Sequence, residues 1–168
     1  SERPVYKPFK MSSSITFDGK VDLEEWGNAQ VATNFIGSGS FQGEDALLKT
    51  EARLMYDDTN LYISFKAFVD RDELRYSITK RDNLDDKDDR VWINIDAFDD
   101  ESLTYGIGVS AGGAQIDGRA TYGFDQSLDL VYDTKVQIFD NRYEVEMVIP
   151  FSSLRYSIAP IQTWRIDF

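Results

Sequence analysis

Three side chains in residues 91–96 have the chemistry and the spacing of a sugar-binding surface. Successive side chains of an extended strand point to opposite faces, so Trp92, Asn94 and Asp96 share one face while the apolar residues between them face a core. Proteins hold sugars by stacking sugar C–H groups on an aromatic ring and by bonding the hydroxyls to amides and carboxylates. The pattern therefore predicts a saccharide site around Trp92. The alternative is that a covering loop buries Trp92 as a peripheral part of the core.

Other polar and aromatic side chains could complete this face, although the sequence does not fix their placement. Hydroxyl, amide and cationic groups all form hydrogen bonds with sugar hydroxyls. The residues predicted to extend the saccharide site in this way are Tyr105, Tyr122, Gln115, Arg75, Lys80 and Arg81.

An acidic segment lies immediately before this strand. Residues 81–90 contain closely spaced aspartates, and such carboxylates are the hard oxygen ligands that Ca²⁺ takes. The segment is not an EF-hand, because Lys87 stands where that loop needs glycine and Ile93 stands where it needs a bidentate glutamate. The alternative is a solvated acidic loop partly neutralised by its own basic residues, and residues 96–101 have the same two interpretations. The candidate calcium ligands are Asp82, Asp85, Asp88 and Asp89.

The composition argues against most familiar catalytic and nucleic-acid functions. The 168 residues include no histidine and no cysteine, which excludes histidine-based triads, thiol catalysis and metal sites built on imidazole or thiolate. The net charge of −12 opposes binding to nucleic acid and to anionic lipid, and no apolar run is long enough for a membrane helix. No pair of acidic residues is singled out for acid–base catalysis, so we expect a protein that is not an enzyme.

An apolar period of two dominates the chain after residue 50 and predicts seven or eight short strands. Such strands, with little helical periodicity, are typical of an all-β fold, an antiparallel β-sandwich of the jelly-roll type. Asp22 and Glu25 have capping-box spacing, so a short helix is expected to begin there and to end near Gly27. Residues 1–14 are predicted to form an extended leader, and residues 15–168 a single domain.

Four segments, in register over nearly the whole chain, resemble the family 9 carbohydrate-binding module superfamily. They are ITFDGKVDLEEW at 15–26, ARLMYDDTNLYI at 52–63, DDRVWINID at 88–96 and YEVEMVIPFSSL at 143–154, and the chain ends with the similar WRIDF. The branch that it resembles most is the N-terminal domain of large bacterial outer-membrane or periplasmic proteins, in which a domain of unknown function follows.

The resemblance implies a β-sandwich with one concave outer face, on which a pair of tryptophans clamps the end of a saccharide while calcium ions brace the loops. Trp26 and Trp164 match structural tryptophans of the family motifs, and both are predicted to be buried anchors. Trp92 is therefore the tryptophan left for a ligand.

The resulting expectation is a noncatalytic saccharide-binding module cut from a longer protein. The expected location is the periplasm, the outer membrane or the extracellular space, and the expected neighbour is the C-terminal part of the same chain. Two alternatives stay open. One is a structural or protein-interaction domain without a small ligand, and the other is a haem-binding electron-transfer module, such as the family also contains. Haem could be ligated here only by methionine, lysine or tyrosine.

Overall fold

The computed structural model describes residues 6–32, 50–69, 72, 74, 90–96, 103–120, 124–125, 131–154 and 165–167. Short strands dominate this part of the chain, and no helix in it has the length and apolar character needed to cross a lipid bilayer. The helices are α1 (Leu23–Trp26) and a 3₁₀ turn at Phe151–Ser153. The strands are β1 (Phe9–Lys10), β2 (Thr50–Tyr56), β3 (Asn60–Phe68), β4 (Arg90–Asp96), β5 (Thr104–Ser110), β6 (Gln115–Ala120), β7 (Phe124–Asp125), β8 (Asp133–Ile138), β9 (Arg142–Pro150) and β10 (Arg165–Asp167).

The strands form two five-stranded sheets. The first sheet has the order β1-β2-β3-β9-β8, and the second has the order β10-β4-β5-β6-β7. Strand β1 pairs with β2 in parallel, and the other pairings are antiparallel. The predicted antiparallel β-sandwich with short helical turns is confirmed.

The main core lies between the two sheets and follows the period of two that the sequence shows. In β4 the buried residues are Val91, Ile93 and Ile95, and the first sheet contributes alternate residues of β3 and β9, such as Ile63 and Val145. Burial of these apolar surfaces is the main force that holds the sheets together. It also fixes which side chains of each strand face outward, because a one-residue slip would turn every apolar side chain out of the core.

A second apolar cluster lies on the outer face of the first sheet. The chain from β1 to α1 crosses this face and buries Trp26 completely, together with Val21, Ala29 and Met55. The predicted burial of Trp26 is confirmed. Trp164, the other predicted anchor, lies outside the described residues.

The short helix begins where the sequence predicts. The Asp22 side chain accepts a hydrogen bond from the backbone N–H of Glu24 at 2.9 Å, which caps the first turn, and Gly27 follows the last helical residue. The reciprocal half of the capping box is not present, because the Glu25 carboxylate instead accepts from the backbone N–H of Thr16. Glu25 therefore ties the helix to the preceding segment.

Part of the segment predicted as an extended leader is built into the first sheet. Phe9 pairs with Met55 and Lys10 pairs with Tyr56, and Phe9 and Met11 pack against the second apolar cluster. Apolar residues in this segment thus bind it to the sheet.

Candidate functional site

Trp92 lies in the middle of β4, on the outer face of the second sheet. Its neighbours Val91 and Ile93 belong to the main core, so alternation turns the indole away from the core. On the outer face the Trp92 side chain is half-buried. The indole Nε1 donates a hydrogen bond to Oδ1 of Asn94 at 2.8 Å. The structure thus brings together two of the residues that the sequence predicts for the saccharide site.

Strand β5 provides a surface without side chains beside these two residues. In the register of the sheet Trp92 lies opposite Gly108, and Asn94 lies opposite Gly106. A methyl group added at Gly108 would lie 3.2 Å from Cζ3 of the Trp92 indole and closer still to Cε3. The benzo ring of Trp92 therefore occupies the space that a side chain at position 108 would need. Glycine inside a strand often marks such a close approach, and this signal could have been found in the sequence.

Asp96 is on the same face as Trp92 but is not available at the surface. Only 3% of this residue is exposed, whereas Trp92 and Asn94 are half-buried and Arg90 is exposed. Exposure therefore falls along the outer face of β4 towards its end. Asp96 is therefore shielded from solvent in this structure. Binding of sugar hydroxyls by its carboxylate stays a prediction.

Tyr105 and Gln115 lie on the inner side of the second sheet. Tyr105 is opposite Ile95, is 4% exposed and belongs to the main core. Gln115 is opposite Val109, and its Nε2 donates to the carbonyl of Tyr132 and to Oγ1 of Thr134, both at 3.1 Å. Both therefore lie on the opposite side of the sheet from Trp92.

These two predictions are corrected by the register of β4, β5 and β6. The alternation of Tyr105 with Ile107 and Val109 already indicated the inner side. The remaining predicted site residues, both saccharide-binding and calcium-binding, lie outside the described residues: Arg75, Lys80, Arg81, Tyr122, Asp82, Asp85, Asp88 and Asp89. Within the part of the chain that is described, no three acidic side chains are grouped so that they could hold a metal ion.

Arg90 is a residue of the outer face that the sequence analysis did not select. It precedes Trp92 by two residues, so its side chain leaves the same face about 7 Å away along the strand. Its guanidinium can only donate hydrogen bonds. An exposed cation, a half-buried indole and an amide thus follow one another along β4.

A buried pair of glutamates on the outer face of the first sheet was also missed. Glu146 is fully buried; its Oε1 accepts from the backbone N–H of Asp18 at 3.0 Å and of Gly19 at 2.8 Å, and its Oε2 accepts from Trp26 Nε1 at 2.9 Å. Burial raises the pKa of the Glu146 carboxyl above its ordinary value of 4.5, although these hydrogen bonds oppose the rise.

Glu144, the next outward residue of β9, binds the same N-terminal segment. It is 1% exposed and accepts from the backbone N–H of Val21 at 2.7 Å and from Nε of Arg142. Its position between Tyr143 and Val145 predicts only that it faces outward. The sequence gives no local sign of the segment, more than a hundred residues earlier in the chain, that covers it.

The described residues have the fold of known carbohydrate-binding modules. Two structures of a carbohydrate binding module of family 9 from Caldicellulosiruptor kristjanssonii, in complex with glucose and with cellotriose, are each 20% identical to this chain. The glucose complex covers 96% of this chain and 75% of its own, with a TM-score of 0.65, and the cellotriose complex covers 95% and 75%, with a TM-score of 0.61. At this identity the likeness shows the fold.

The family is shown by the sequence itself. No curated protein sequence matches the chain. The sequence profile described as carbohydrate family 9 binding domain-like, in contrast, matches residues 17–165. This match extends from the segment that covers the first sheet to the last strand of the second sheet. The chain belongs to the carbohydrate family 9 binding domain-like family.

Proposed function

We propose that this chain is a noncatalytic saccharide-binding module whose ligand stacks on Trp92. The observation that carries the proposal is the half-buried indole on the outer face of β4, with Asn94 bonded to its Nε1. An aromatic ring on a sheet surface, with hydrogen-bonding groups beside it, fits the apolar face and the polar rim of a pyranose. Sugar complexes of structural neighbours support a ligand of this class.

The other outer face of the sandwich is a poor candidate for a ligand. The N-terminal segment covers the first sheet there, with Trp26 and Met55 buried beneath it and with Glu144 and Glu146 bonded to its backbone. A ligand could reach the residues beneath this segment only after the segment had been removed. The second sheet is therefore the favoured binding surface.

The groups around Trp92 favour binding over hydrolysis. Glycosidic hydrolysis by the usual route needs two carboxyl groups on opposite sides of the bond that is cut. Among the described side chains of β4, the outer face has one carboxylate, Asp96, and it is shielded from solvent. Asn94 and Arg90 can hold a sugar by hydrogen bonds but do not act as general acids or bases at neutral pH.

Calorimetric titration with oligosaccharides tests this proposal. Parent protein is titrated with glucose, cellotriose and a panel of other glycans, and Trp92→Ala is expected to lose at least tenfold in affinity for any glycan that binds. The matched control is Phe68→Ala, which removes a half-buried aromatic residue from the outer face of the first sheet and should bind as the parent does. Equal affinity of Trp92→Ala and parent would reject the site. A parent that binds no glycan would favour the structural or protein-interaction alternative.

Three finer parts of the proposal rest on the resemblance to the branch described above. We propose that the module is accessory to a longer protein, that it acts in the periplasm, at the outer membrane or outside the cell, and that calcium binds its aspartate-rich segment at 82–89. A Soret band in the absorbance spectrum of the purified protein would instead favour the haem-binding alternative.

A further inference from the structure

The Trp92 indole contacts Gly108 at its benzo ring and Asn94 at its Nε1, and these contacts assign a role to both residues. We propose that Gly108 and Asn94 are positioning residues that hold the indole in one orientation, and that Asn94 also contributes the hydrogen-bond donor that meets the ligand beside the stacked ring. The second half of this proposal rests on the proposed function. The first half concerns the protein alone and can be tested without a ligand.

Gly108 fixes the benzo end of the indole. Its missing side chain leaves the space in which Cε3 and Cζ3 of Trp92 lie, and a methyl group there would also be 2.9 Å from the carbonyl oxygen of Val91. A contact of 3.2 Å or less between carbon atoms is repulsive, so alanine at position 108 must displace the ring, the β4 backbone or both. The present orientation of Trp92 therefore requires glycine on the neighbouring strand.

Asn94 fixes the pyrrole end. The indole Nε1 can only donate, so the oxygen of the Asn94 amide must face it, and this assignment leaves Nδ2 on the other side of the amide. Among the described residues, Nδ2 of Asn94 has no hydrogen-bond partner. Asn94 thus offers N–H donors to a ligand, and the ligand atom beside the stacked ring must be an acceptor, such as a hydroxyl or ring oxygen.

A ring fixed at both ends has functional value. Ordering a side chain on binding costs free energy, and a ring that is already held in its binding orientation avoids that cost. Loss of either contact should therefore lower affinity even when Trp92 itself is kept. The two contacts can be separated, because Asn94→Asp keeps an oxygen for Nε1 and removes the amide donor, whereas Asn94→Leu removes both.

The position of the ring is measured by fluorine NMR of protein labelled with 6-fluorotryptophan, without ligand. The fluorine then sits on Cη2, next to Cζ3 but on neither of the two atoms that contact Gly108. The variant Trp92→Phe assigns the Trp92 signal. Gly108→Ala and Asn94→Leu are expected to shift or broaden this signal and to leave that of Trp26 in place, while Asn94→Asp restores the parent position. An unchanged Trp92 signal in both Gly108→Ala and Asn94→Leu would overturn the positioning role.

Because Gly108→Ala could unfold the sheet, a double-mutant cycle provides a second measurement. The fall in melting temperature caused by Gly108→Ala should be smaller in the Trp92→Ala background, where the ring is absent but the close contact with the Val91 carbonyl remains. An equal fall in both backgrounds would show that Gly108 does not act through Trp92.

Titration with cellotriose as the probe tests whether the Asn94 amide donates a hydrogen bond to the ligand. Asn94→Asp is expected to keep the parent fluorine spectrum and yet to bind at least tenfold more weakly, because a carboxylate cannot donate to the ligand. Parent-like affinity of Asn94→Asp would overturn the donor role while leaving the proposed function intact. Parent protein that binds neither cellotriose nor any other glycan would overturn the donor role together with the proposed function. The fluorine spectra would then still decide the positioning role.

Discussion

Glutamine in place of Glu146 tests whether the N-terminal segment is held by a buried carboxylate. In the parent, two oxygens accept three hydrogen bonds, from the backbone of Asp18 and Gly19 and from Nε1 of Trp26. Glutamine has one oxygen and one N–H₂ group. If the oxygen stays with the two backbone donors, the new N–H₂ faces the indole N–H, and two donors meet with no acceptor between them.

Two contributions to the free energy of unfolding change in Glu146→Gln, and they set the size of the effect. A buried donor left without an acceptor costs about 1–3 kcal/mol, and the lost bond to a charged acceptor had contributed about 1.5–3 kcal/mol. Removing a buried negative charge offsets part of this, and the raised pKa of Glu146 shows that its charge is costly to bury. We expect Glu146→Gln to lower the free energy of unfolding by about 1–3 kcal/mol, measured by urea denaturation at pH 7.

The same measurement has a defined pH dependence. Since the pKa of Glu146 is higher in the folded state than its ordinary value of 4.5, the folded protein binds the proton more readily, and parent stability gains as pH falls through the raised pKa towards 4.5. A protonated carboxyl still accepts from Trp26 through its hydroxyl oxygen, which an amide N–H₂ cannot do. The difference in free energy of unfolding between the parent and Glu146→Gln should therefore be larger near pH 4.5 than at pH 7. The extra stability of the parent is lost as pH rises through the raised pKa.

Trp26→Phe supplies the control, because phenylalanine has no donor to oppose the amide. Trp26→Phe itself removes buried volume, but Glu146→Gln should cost less in that background, by about 1 kcal/mol or more. If Glu146→Gln costs the same in both backgrounds, the indole bond does not stabilise the segment. If Glu146→Gln unfolds like the parent, the whole account of the buried glutamate is wrong.

Three further outcomes are expected. Trp26→Ala should lower the free energy of unfolding by about 3–5 kcal/mol, the usual cost of deleting a large core aromatic. Trp92→Ala should lower it clearly less, because Trp92 is half-buried, and thermal melts of both variants measure the difference. Tyr105→Phe should leave glycan affinity in calorimetric titration unchanged, since Tyr105 lies in the main core, and a tenfold loss would return it to the site. If the segment at 82–89 binds calcium, excess chelator should lower the melting temperature and added Ca²⁺ should restore it; an unchanged melt without bound metal would leave a solvated acidic loop.

The alternation of side chains predicted the sandwich because it depends only on neighbouring residues. It also placed Trp92 and Asn94 on one outward face, which the structure confirms. For Tyr105 the sequence supported two incompatible predictions, one from its position between core residues and one from its chemistry. The register of β4 and β5 decides for the core.

What alternation could not predict is whether an outward face is exposed. Glu144 and Glu146 alternate with core residues as Asn94 does, yet they are buried under a segment that precedes them by more than a hundred residues. The covering contacts are between groups distant in sequence, mostly backbone N–H groups, and backbone groups have no sequence signature.

This difference between the two outer faces bears directly on function. On the first sheet the outward acids Glu144 and Glu146 are bonded to the backbone of the N-terminal segment, and the outward Met55 is buried with Trp26, so these groups serve stability. On the second sheet glycine replaces side chains beside Trp92, which costs strand stability and contributes nothing to a core. Such a cost is explained if the close approach of the indole to β5 is itself the purpose. The outer face of β4 and β5 is therefore the surface on which a search for the ligand should begin.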